Sequence, residues 1–290
     1  MKVACIGLGL IGGSFALSLK MNFPEIQRFG LDQNEEHLEK ALRLNIIDEA
    51  LKKEDLSKMD VIVVSIPVDK ANFVIKEILN KVHPKALVMD MGSTKGELCT
   101  AISEHPRRDQ FLAAHPIAGT EFSGPEAAFA SLFLNKTMIF CDVNATQTHL
   151  VELAKSLIAP LEMTIKYMDS KDHDKHLAYV SHLSHISSFM LGKTVLKVEQ
   201  NDKNIFDLAG SGFASTVRLA KSNPVTWTAI FKENKEEVLQ ALEEYIQNLK
   251  IFQEKLETED YQEIQQQLAD INKLKPILNG ILKKENHGNQ

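Results

Sequence analysis

The sequence of 290 residues is poor in cysteine and carries no excess of basic residues. Its three cysteines, Cys5, Cys99 and Cys141, are an odd number without Cys-x-x-Cys spacing, and all lie in or beside apolar segments. We therefore expect buried thiols in a protein from a reducing compartment. The formal charge of −6, with no cluster of lysines or arginines, argues against a surface for nucleic acid.

The sequence also lacks long hydrophobic runs. No run approaches the about 18 apolar residues that are needed to span a membrane. The first residues enter a strand pattern at once, so we expect no signal peptide. With 44% hydrophobic and 25% charged residues, the composition is that of an ordinary globular protein, and the length allows two domains. We predict a cytoplasmic protein that binds neither nucleic acid nor a membrane.

The first fourteen residues carry a glycine motif. An apolar run from Val3 to Ile6 is typical of a buried parallel strand, and Gly7, Gly9 and Gly12 follow it as Gly-x-Gly-x-x-Gly before a helical stretch. In a dinucleotide site the first glycine allows a tight turn, the second lets the backbone approach a pyrophosphate, and the third lets helix and strand pack closely. The alternative is a glycine turn that merely connects a strand to a helix.

A second strand pattern ends at Asp32, twenty residues beyond Gly12. An acidic residue at this distance can bind the ribose 2′-hydroxyl of a dinucleotide. Its charge would repel a 2′-phosphate, and residues 33–36 contain no arginine to neutralise one, so NAD is favoured over NADP. Asp32 as an acidic turn residue that caps the next helix is compatible with this role. The other predicted cofactor-binding residues lie in the glycine turn or on later strand-end loops: Leu10, Ile11, Ser65, Pro67 and Ser93.

Strand and helix patterns alternate up to residue 168, and only helical patterns follow. We therefore predict an α/β, Rossmann-type dinucleotide-binding domain over residues 1–169 and an all-helical domain over residues 170–290, of which 283–290 are frayed. The predicted strands cover residues 3–6, 29–32, 59–67, 86–90, 111–114, 137–141 and 164–168. The predicted helices cover residues 14–20, 34–45, 70–82, 146–158, 172–198, one run from 224 through 252, and 261–282.

Two features of the helical part bear on its packing. The stretch 172–198 is apolar around much of its circumference, which is typical of a helix buried between domains or between subunits. Pro224, preceded by Asn223, fits the first position and the N-cap of a new helix.

A dinucleotide site indicates hydride transfer, and a hydroxyl that loses hydride must also lose a proton to a base. His115 is the candidate base, because it stands at the predicted carboxyl end of a strand and Pro116 stiffens the turn that follows. Ser93, on another strand-end loop, has a hydroxyl that could reach the nicotinamide or His115. The structural alternatives are a histidine bonded to backbone and a serine that only forms a turn.

Four segments taken together resemble the prephenate dehydrogenase family of tyrosine biosynthesis. The resemblance covers nearly the whole chain, and its specific part is the histidine block, since many dehydrogenases share the glycine motif. The segments are Gly-Leu-Gly-Leu-Ile-Gly-Gly-Ser (7–14), Asp-Met-Gly-Ser-Thr-Lys-Gly (90–96), His-Pro-Ile-Ala-Gly-Thr-Glu-x-Ser-Gly (115–124) and Ser-His-Leu-Ser-His (181–185).

The resemblance implies the oxidative decarboxylation of prephenate to 4-hydroxyphenylpyruvate with reduction of NAD, by a homodimer formed through the helical domain. His115 would take the proton of the ring hydroxyl as hydride leaves, and Ser93 would orient His115 and contact the nicotinamide. Thr120 and Glu121 would line the substrate pocket.

Three residues of the helical part also match the family. Arg218 would bind a substrate carboxylate through two parallel hydrogen bonds. His185 would recognise the pyruvyl side chain, and Trp227 would lie near the substrate. The sequence departs from the family beside Arg218, since Ala214 and Ser215 replace a usual charged pair and Val217 replaces a usual threonine. An ion pair or gate built on that missing aspartate is therefore in doubt, whereas the arginine remains.

Three alternatives stay open or are set aside. Arogenate is the rival substrate, and we favour prephenate because a cationic amine gains nothing from an imidazole donor at His185. A catalytically silent NAD-binding sensor or partner protein is the rival class, although a sensor needs no base. We expect no metal, because nine residues separate two histidine pairs and turn them to opposite faces of a helix. The cluster comprises His173, His176, His182 and His185 with Asp169 and Asp172.

Overall fold

A computed structural model describes residues 1–200 and 204–287, and the side chains up to residue 281. Its contacts divide the chain into two compact units, Met1–Lys235 and Glu236–Gln290. This division lies well beyond the predicted domain boundary between residues 169 and 170, which stays a prediction.

An eight-stranded sheet forms the centre of the first unit. The strand order is β3-β2-β1-β4-β5-β6-β7-β8, and its first six strands are parallel in the order of doubly wound nucleotide-binding sheets. β7 is antiparallel to β6, and β8 is parallel to β7. The strands are β1 (Lys2–Ile6), β2 (Gln27–Leu31), β3 (Glu49–Ala50), β4 (Val61–Val64), β5 (Leu87–Asp90), β6 (Phe111–Ile117), β7 (Thr137–Cys141) and β8 (Thr164–Met168). The predicted α/β class is confirmed.

Helices cover both faces of this sheet and enclose one apolar core on each side. The four residues of β4 are completely buried, as expected for a central parallel strand with a continuous apolar sequence. The helices associated with the sheet are α1 (Leu10–Asn22), α2 (Glu35–Arg43), α3 (Val68–Lys81), α4 (Gly96–Ile102) and α5 (Thr148–Ile158).

After Met168 the described residues form helices and turns but no strand, as predicted. Asn223 is the N-cap of the helix that begins at Pro224, since its side-chain oxygen accepts from the backbone N–H of Val225 and Thr226. The helices are α6 (Ser170–Leu177), a π-helical turn (Ala178–His182), α7 (Leu183–Glu199), α8 (Ser211–Thr216), α9 (Pro224–Glu233), α10 (Lys235–Glu257), α11 (Tyr261–Ile271) and α12 (Lys275–His287).

Two helix predictions need correction. The run predicted from 224 through 252 is two helices, because the chain leaves helical geometry at Asn234. The predicted helix 261–282 is divided by a 3-10 turn at Asn272–Leu274. α12 is described as far as His287, so the fraying of residues 283–290 stays a prediction, and the last three of them lie outside the described part.

The apolar helix predicted for residues 172–198 is not buried along its length. Within α7 only Ser188 is buried, and Met190 and Leu196 are exposed, as is Val180 just before it. The predicted burial between subunits is therefore the alternative that remains. No helix of the described residues is long and apolar enough to cross a membrane.

The cysteines are free and buried, as predicted. Burial raises the pKa of Cys5 and of Cys99 to about 12, and it raises the pKa of Cys141 as well. None of the three thiols is therefore ionised at neutral pH, and none resembles a reactive nucleophile.

An ion pair inside the fold holds the loop that follows β5. Lys95 is completely buried and its Nζ binds the buried carboxylate of Asp90, at the end of that strand. The same Nζ donates to the carbonyl of Thr94 at 3.0 Å, and Asp90 also accepts from the backbone N–H of Gly92 at 3.0 Å. The charges are therefore paired and hydrogen-bonded, which burial requires.

Replacing Lys95 with methionine should lower the free energy of unfolding by about 3–5 kcal/mol, because Asp90 is left as an uncompensated buried charge. Urea denaturation followed by far-UV circular dichroism measures the change. Lys81→Met is the matched control: Lys81 pairs with Glu77 on the surface, so a loss below about 1 kcal/mol is expected. Equal losses in the two variants would contradict a structural role for the buried pair.

Candidate active site

The turn after β1 has the geometry that the glycine motif predicts. Gly7 has φ +88°, and a Cβ there would overlap the carbonyl of Ser65. A Cβ on Gly12 would overlap the carbonyl of Gly7, whereas a Cβ on Gly9 would meet no atom within 4 Å. Positions 7 and 12 therefore require glycine for the turn itself, and position 9 borders open space.

The open side of this turn is the N-terminus of α1. Among the described residues no side chain caps that end, and the first turn of the helix has no acidic residue, so its backbone N–H groups present the positive end of the helix dipole. Leu10 and Ile11, both half-buried, form the start of the helix. Backbone N–H groups at the start of a helix, beside open space, suit an anionic pyrophosphate, so these residues fit a dinucleotide.

Asp32 follows β2 and is bonded to the glycine turn. Its Oδ2 accepts from the backbone N–H of Leu8 at 2.8 Å, and its Oδ1 accepts from that of Asn34 at 2.9 Å. Asn34 is the N-cap of α2, through its bond to the N–H of Glu36, so the helix-cap alternative for Asp32 is wrong. Asp32 therefore stands beside the turn, where the predicted ribose contact requires a carboxylate.

Two other predicted cofactor residues follow β4. The hydroxyl of Ser65 donates to the carbonyl of Gly7 at 2.9 Å and so fixes the turn from the neighbouring strand. Pro67 is exposed and precedes α3. Because β1 and β4 lie on either side of the point where the strand order reverses, these residues border the crevice where ligands bind in such sheets.

His115 lies in β6, two residues beyond the last residue that pairs with the parallel strand β5. Its ring is half-buried, and its Nδ1 is 2.8 Å from Nε2 of His173 in α6. The two rings are edge to face, with centroids 5.0 Å apart. The candidate base is therefore bonded to a second histidine and not to backbone, which excludes the structural alternative considered for it.

Ser93 does not orient His115 in this structure. It is half-buried in the loop after β5, and within residues 1–200 and 204–287 the hydrogen-bond partner of His115 is His173. The predicted contact of Ser93 with the nicotinamide stays a prediction.

The directions of the hydrogen bonds from His115 through His173 follow from the residue at the end of the series, Asp174. Nδ1 of His173 is 2.7 Å from Oδ1 of Asp174. A carboxylate only accepts, so His173 donates from Nδ1 and its Nε2 accepts from Nδ1–H of His115. The neutral ring of His115 then keeps its lone pair on Nε2. No described residue bonds that atom.

Asp174 is itself held by backbone. Its Oδ1 accepts from the N–H of Lys95 at 2.8 Å, and its Oδ2 accepts from the N–H of Gly96 at 2.7 Å. The side-chain amide of Asn234 donates to the carbonyl of Asp174 at 2.8 Å and to Nδ1 of His182 at 3.1 Å. The loop after β5 and the end of α9 thus fix the histidine network from two sides.

The predicted placement of the two histidine pairs on opposite faces is wrong. His182 is close enough to His173 and His115 for its charge to lower the pKa of His115. The π-helical turn Ala178–His182 begins after the first pair and ends at the first residue of the second. It takes more residues per turn than an α-helix, so the second pair is rotated relative to the position that a regular α-helix would give it. Within the described residues, no group of three or more acidic, histidine or cysteine side chains is arranged to bind a metal.

Burial is the largest cause of each histidine shift. It lowers the pKa of His115 well below its usual value, and the charges of His173, Lys95 and His182 act in the same direction. It also lowers the pKa of His173, although the bond to Asp174 opposes it. The pKa of His182 falls to about 4. All three rings are therefore neutral at neutral pH.

Most of the predicted substrate residues lie in a second group. Arg218 Nη1 is 3.9 Å from Oε2 of Glu121, and its charge contributes to the lowered pKa of His185. The ring of His185 stacks on Trp227 with centroids 3.3 Å apart. Thr120, exposed, accepts from the backbone N–H of Phe122 at 3.3 Å.

The two groups are connected. Trp227 also contacts His182 edge to face, with centroids 6.0 Å apart, and His182 belongs to the network behind His115. The backbone N–H of Ala220 donates to the buried hydroxyl of Ser188, which fastens the turn that carries Arg218 to α7.

His185 has a fixed tautomer. Its Nδ1 is 3.0 Å from the carbonyl of Ser181 one turn earlier, and a carbonyl only accepts. Burial, with the charge of Arg218, lowers its pKa below the usual value. The neutral ring therefore donates from Nδ1 and offers a lone pair at Nε2, contrary to the imidazole donor assumed from the sequence.

Family models match both parts of the chain. A model for the nucleotide-binding domain of prephenate dehydrogenase matches residues 15–167, and a model for the dimerization domain of prephenate dehydrogenase matches residues 169–270. The chain is also 29% identical, over 262 residues, to prephenate dehydrogenase of Bacillus subtilis, which covers 88% of this chain and 70% of that protein.

Solved structures are similar as well. Prephenate dehydrogenase of Aquifex aeolicus, in complex with hydroxyphenyl propionate and NAD+, superposes with a TM-score of 0.87 and 32% identity over 96% of this chain and 97% of that one. Arogenate dehydrogenase of Synechocystis superposes with a TM-score of 0.73 and 27% identity over 98% of this chain and 100% of that one.

Replacing Gly12 with alanine should lower the free energy of unfolding by about 1–3 kcal/mol, because the added methyl group overlaps backbone of the same turn. Thermal unfolding monitored by circular dichroism measures the loss. Gly280→Ala is the matched control, because a Cβ there meets no atom within 4 Å and alanine favours the helix. A Gly12→Ala protein as stable as the control would refute the described turn.

Proposed function

Because the chain belongs to the prephenate dehydrogenase family, we propose that it catalyses the NAD-dependent oxidative decarboxylation of prephenate to 4-hydroxyphenylpyruvate. The observation that carries this proposal is the state of His115: a neutral ring with its Nδ1 proton engaged and its Nε2 lone pair available. A base of this kind is what the removal of a hydroxyl proton requires.

The proposed reaction removes a hydride and a carboxylate from one ring. His115 Nε2 takes the proton of the ring hydroxyl while the carbon that bears it loses hydride. The bond to the ring carboxylate then breaks, CO2 leaves, and its electron pair completes the aromatic ring. The proton returns to the oxygen, which gives the phenol. When bound, NAD supplies the hydride acceptor.

Arg218 is proposed to bind a carboxylate of the substrate. Its side chain is 55% exposed and 3.9 Å from Glu121, too long for a tight ion pair. A bidentate carboxylate would therefore find the guanidinium accessible. Thr120, Glu121 and Trp227 are proposed as the neighbouring pocket residues.

NAD is proposed in preference to NADP. Asp32 lies next to the glycine turn, and a ribose 2′-hydroxyl can donate to its carboxylate whereas a 2′-phosphate would be repelled. Ser65 and Pro67 border the same crevice, and Ser93 is proposed to contact the nicotinamide.

Arogenate is the second candidate substrate, and one observation favours it. Nε2 of the neutral His185 is an acceptor, so it suits the ammonium group of arogenate and not the keto oxygen of prephenate. The relationship to the arogenate dehydrogenase of Synechocystis keeps this candidate open. A silent NAD-binding sensor is less well supported, since it would need neither His115 nor Arg218.

A homodimer is proposed as the working form. The match to a dimerization domain over residues 169–270 supports it, and so do large apolar side chains exposed on the last helices. These are Leu268, Ile271, Leu274, Ile277 and Leu278. A second copy of the chain would remove them from water.

Absorbance at 340 nm tests substrate and cofactor together, with prephenate or arogenate offered in parallel and NAD or NADP added to each. We expect rapid reduction with prephenate and NAD. Faster turnover of arogenate would keep the mechanism and change the substrate. If neither substrate causes an increase in absorbance, although calorimetry shows that the protein binds NAD, the proposed function is overturned in favour of the sensor.

Replacing His115 with asparagine should reduce kcat about 100-fold to 10,000-fold and leave NAD affinity unchanged, because only the base is lost. In the native enzyme the neutral ring is the active form and its pKa is lowered. We therefore expect kcat/KM to be level from about pH 8 to pH 6.5 and to fall only in more acidic solution, as His115 gains a proton. An Asn variant with native turnover would remove His115 from the mechanism.

A further inference from the structure

We infer that His173 and Asp174 form a positioning relay behind His115, which keeps the proton of His115 on Nδ1 and its lone pair on Nε2. The inference rests on the proposed function for its catalytic consequence, but the tautomer is a property of the free protein. The sequence analysis assigns no role to His173, and Asp174 is not among its candidate residues.

The relay is continuous and inaccessible to water. The ring of His173 is completely buried, with one nitrogen bonded to Asp174 and the other to His115. Water therefore cannot replace His173 as the acceptor for Nδ1 of His115. Nothing then offsets the cost of moving the proton to Nε2, because that tautomer would leave two ring nitrogens facing each other without a hydrogen.

Asp174 cannot turn away from the relay. Backbone N–H groups of Lys95 and Gly96 bind its two oxygens, and these belong to the loop held by the buried pair Lys95–Asp90. The carboxylate that sets the direction of these hydrogen bonds is thus fixed before any ligand binds. Preorganisation of this kind is what a catalytic base needs from its neighbours.

The relay also acts on the charged form of His115. When Nε2 takes the substrate proton, the imidazolium still donates from Nδ1 to His173, and the negative charge of Asp174 lies behind it. Burial and the charge of Lys95 oppose this cation and so keep the ring neutral before the reaction. No member of the relay has to change its own protonation state.

Two substitutions of His173 separate this role from a structural one. Glutamine places its side-chain oxygen near the position of Nε2, so it can accept from His115 but loses the bond to Asp174. Asparagine places its amide near the position of Nδ1, so it keeps Asp174 but does not reach His115. A structural role predicts that asparagine is the milder change, whereas the relay predicts that glutamine is.

We expect His173→Asn to lower kcat about 100-fold and His173→Gln less than about 10-fold, each with KM for the substrate within about twofold. His176→Asn, an exposed position on the same helix, is the control and should keep native kcat. Equal losses in kcat for the two His173 variants, or a larger loss for glutamine, would overturn the relay.

The tautomer itself is read by 15N NMR of the histidine side chains in the free wild-type protein, with His115→Asn used to assign the resonances. We expect His115 to be protonated at Nδ1 and unprotonated at Nε2 between about pH 6.5 and 8. His173→Asn should give a mixture of the two tautomers, and His173→Gln should not. A wild-type ring protonated at Nε2 would overturn the inference.

This second measurement also separates the two proposals. An inactive wild-type protein with the expected tautomer would refute the proposed function and leave the relay standing. An active wild-type protein with His115 protonated at Nε2 would refute the relay and leave the proposed activity standing.

Discussion

The carboxylate of Asp174 is the constraint on which the described site depends. It reaches from α6 to the backbone of Lys95 and Gly96, 79 and 78 residues earlier in the sequence, and it orients the ring of His173 at the same time. This one side chain thus attaches α6 to the loop after β5 and sets the orientation of the His173 ring. The geometry of His115 follows from that attachment.

Seven of the eight strands could be predicted from the sequence because their signals are local, whereas the two-residue strand β3 is not predicted. Apolar runs that end in glycine or in Ser-x-Pro predict the central strands. The spacing from Gly12 to Asp32 predicts that Asp32 lies beside the glycine turn, and the hydrogen bond from the N–H of Leu8 to Asp32 places it there. The carboxyl ends of parallel strands meet at one edge, so His115 could be placed near that edge without any structure.

The partners of His115 could not be predicted in the same way. His173 is 58 residues away, and its position relative to His182 was judged from the regular period of an α-helix. A π-helical turn changes that period, and nothing in Ala178–His182 signals it. One signal in the sequence could have been used. Asp90 stands at the end of an apolar strand and Lys95 in the loop that follows, and a buried carboxylate needs a cationic partner, so the pair predicts that this loop is part of the core.

The helix break at Asn234 has the same kind of cause. The apolar pattern continues across this residue, so periodicity predicted one helix. Asn234 is nevertheless buried, and both of its amide hydrogens are used, one on the carbonyl of Asp174 and one on His182. Tertiary hydrogen bonds that satisfy a buried amide outweigh the preference of the local sequence for an uninterrupted helix.

Four neutral histidines with fixed tautomers belong to the candidate site. His115, His173 and His185 carry their proton on Nδ1, whereas His182 accepts at Nδ1 from Asn234 and carries its proton on Nε2. Prephenate and arogenate differ by a keto group in place of an ammonium group, that is, by an acceptor in place of a donor. We propose that these fixed neutral tautomers select between the two candidate substrates by the direction of a hydrogen bond, which family resemblance cannot reveal. Under the proposed function the carbonyl of Ser181 bears on this choice, because it holds the proton of His185 on Nδ1.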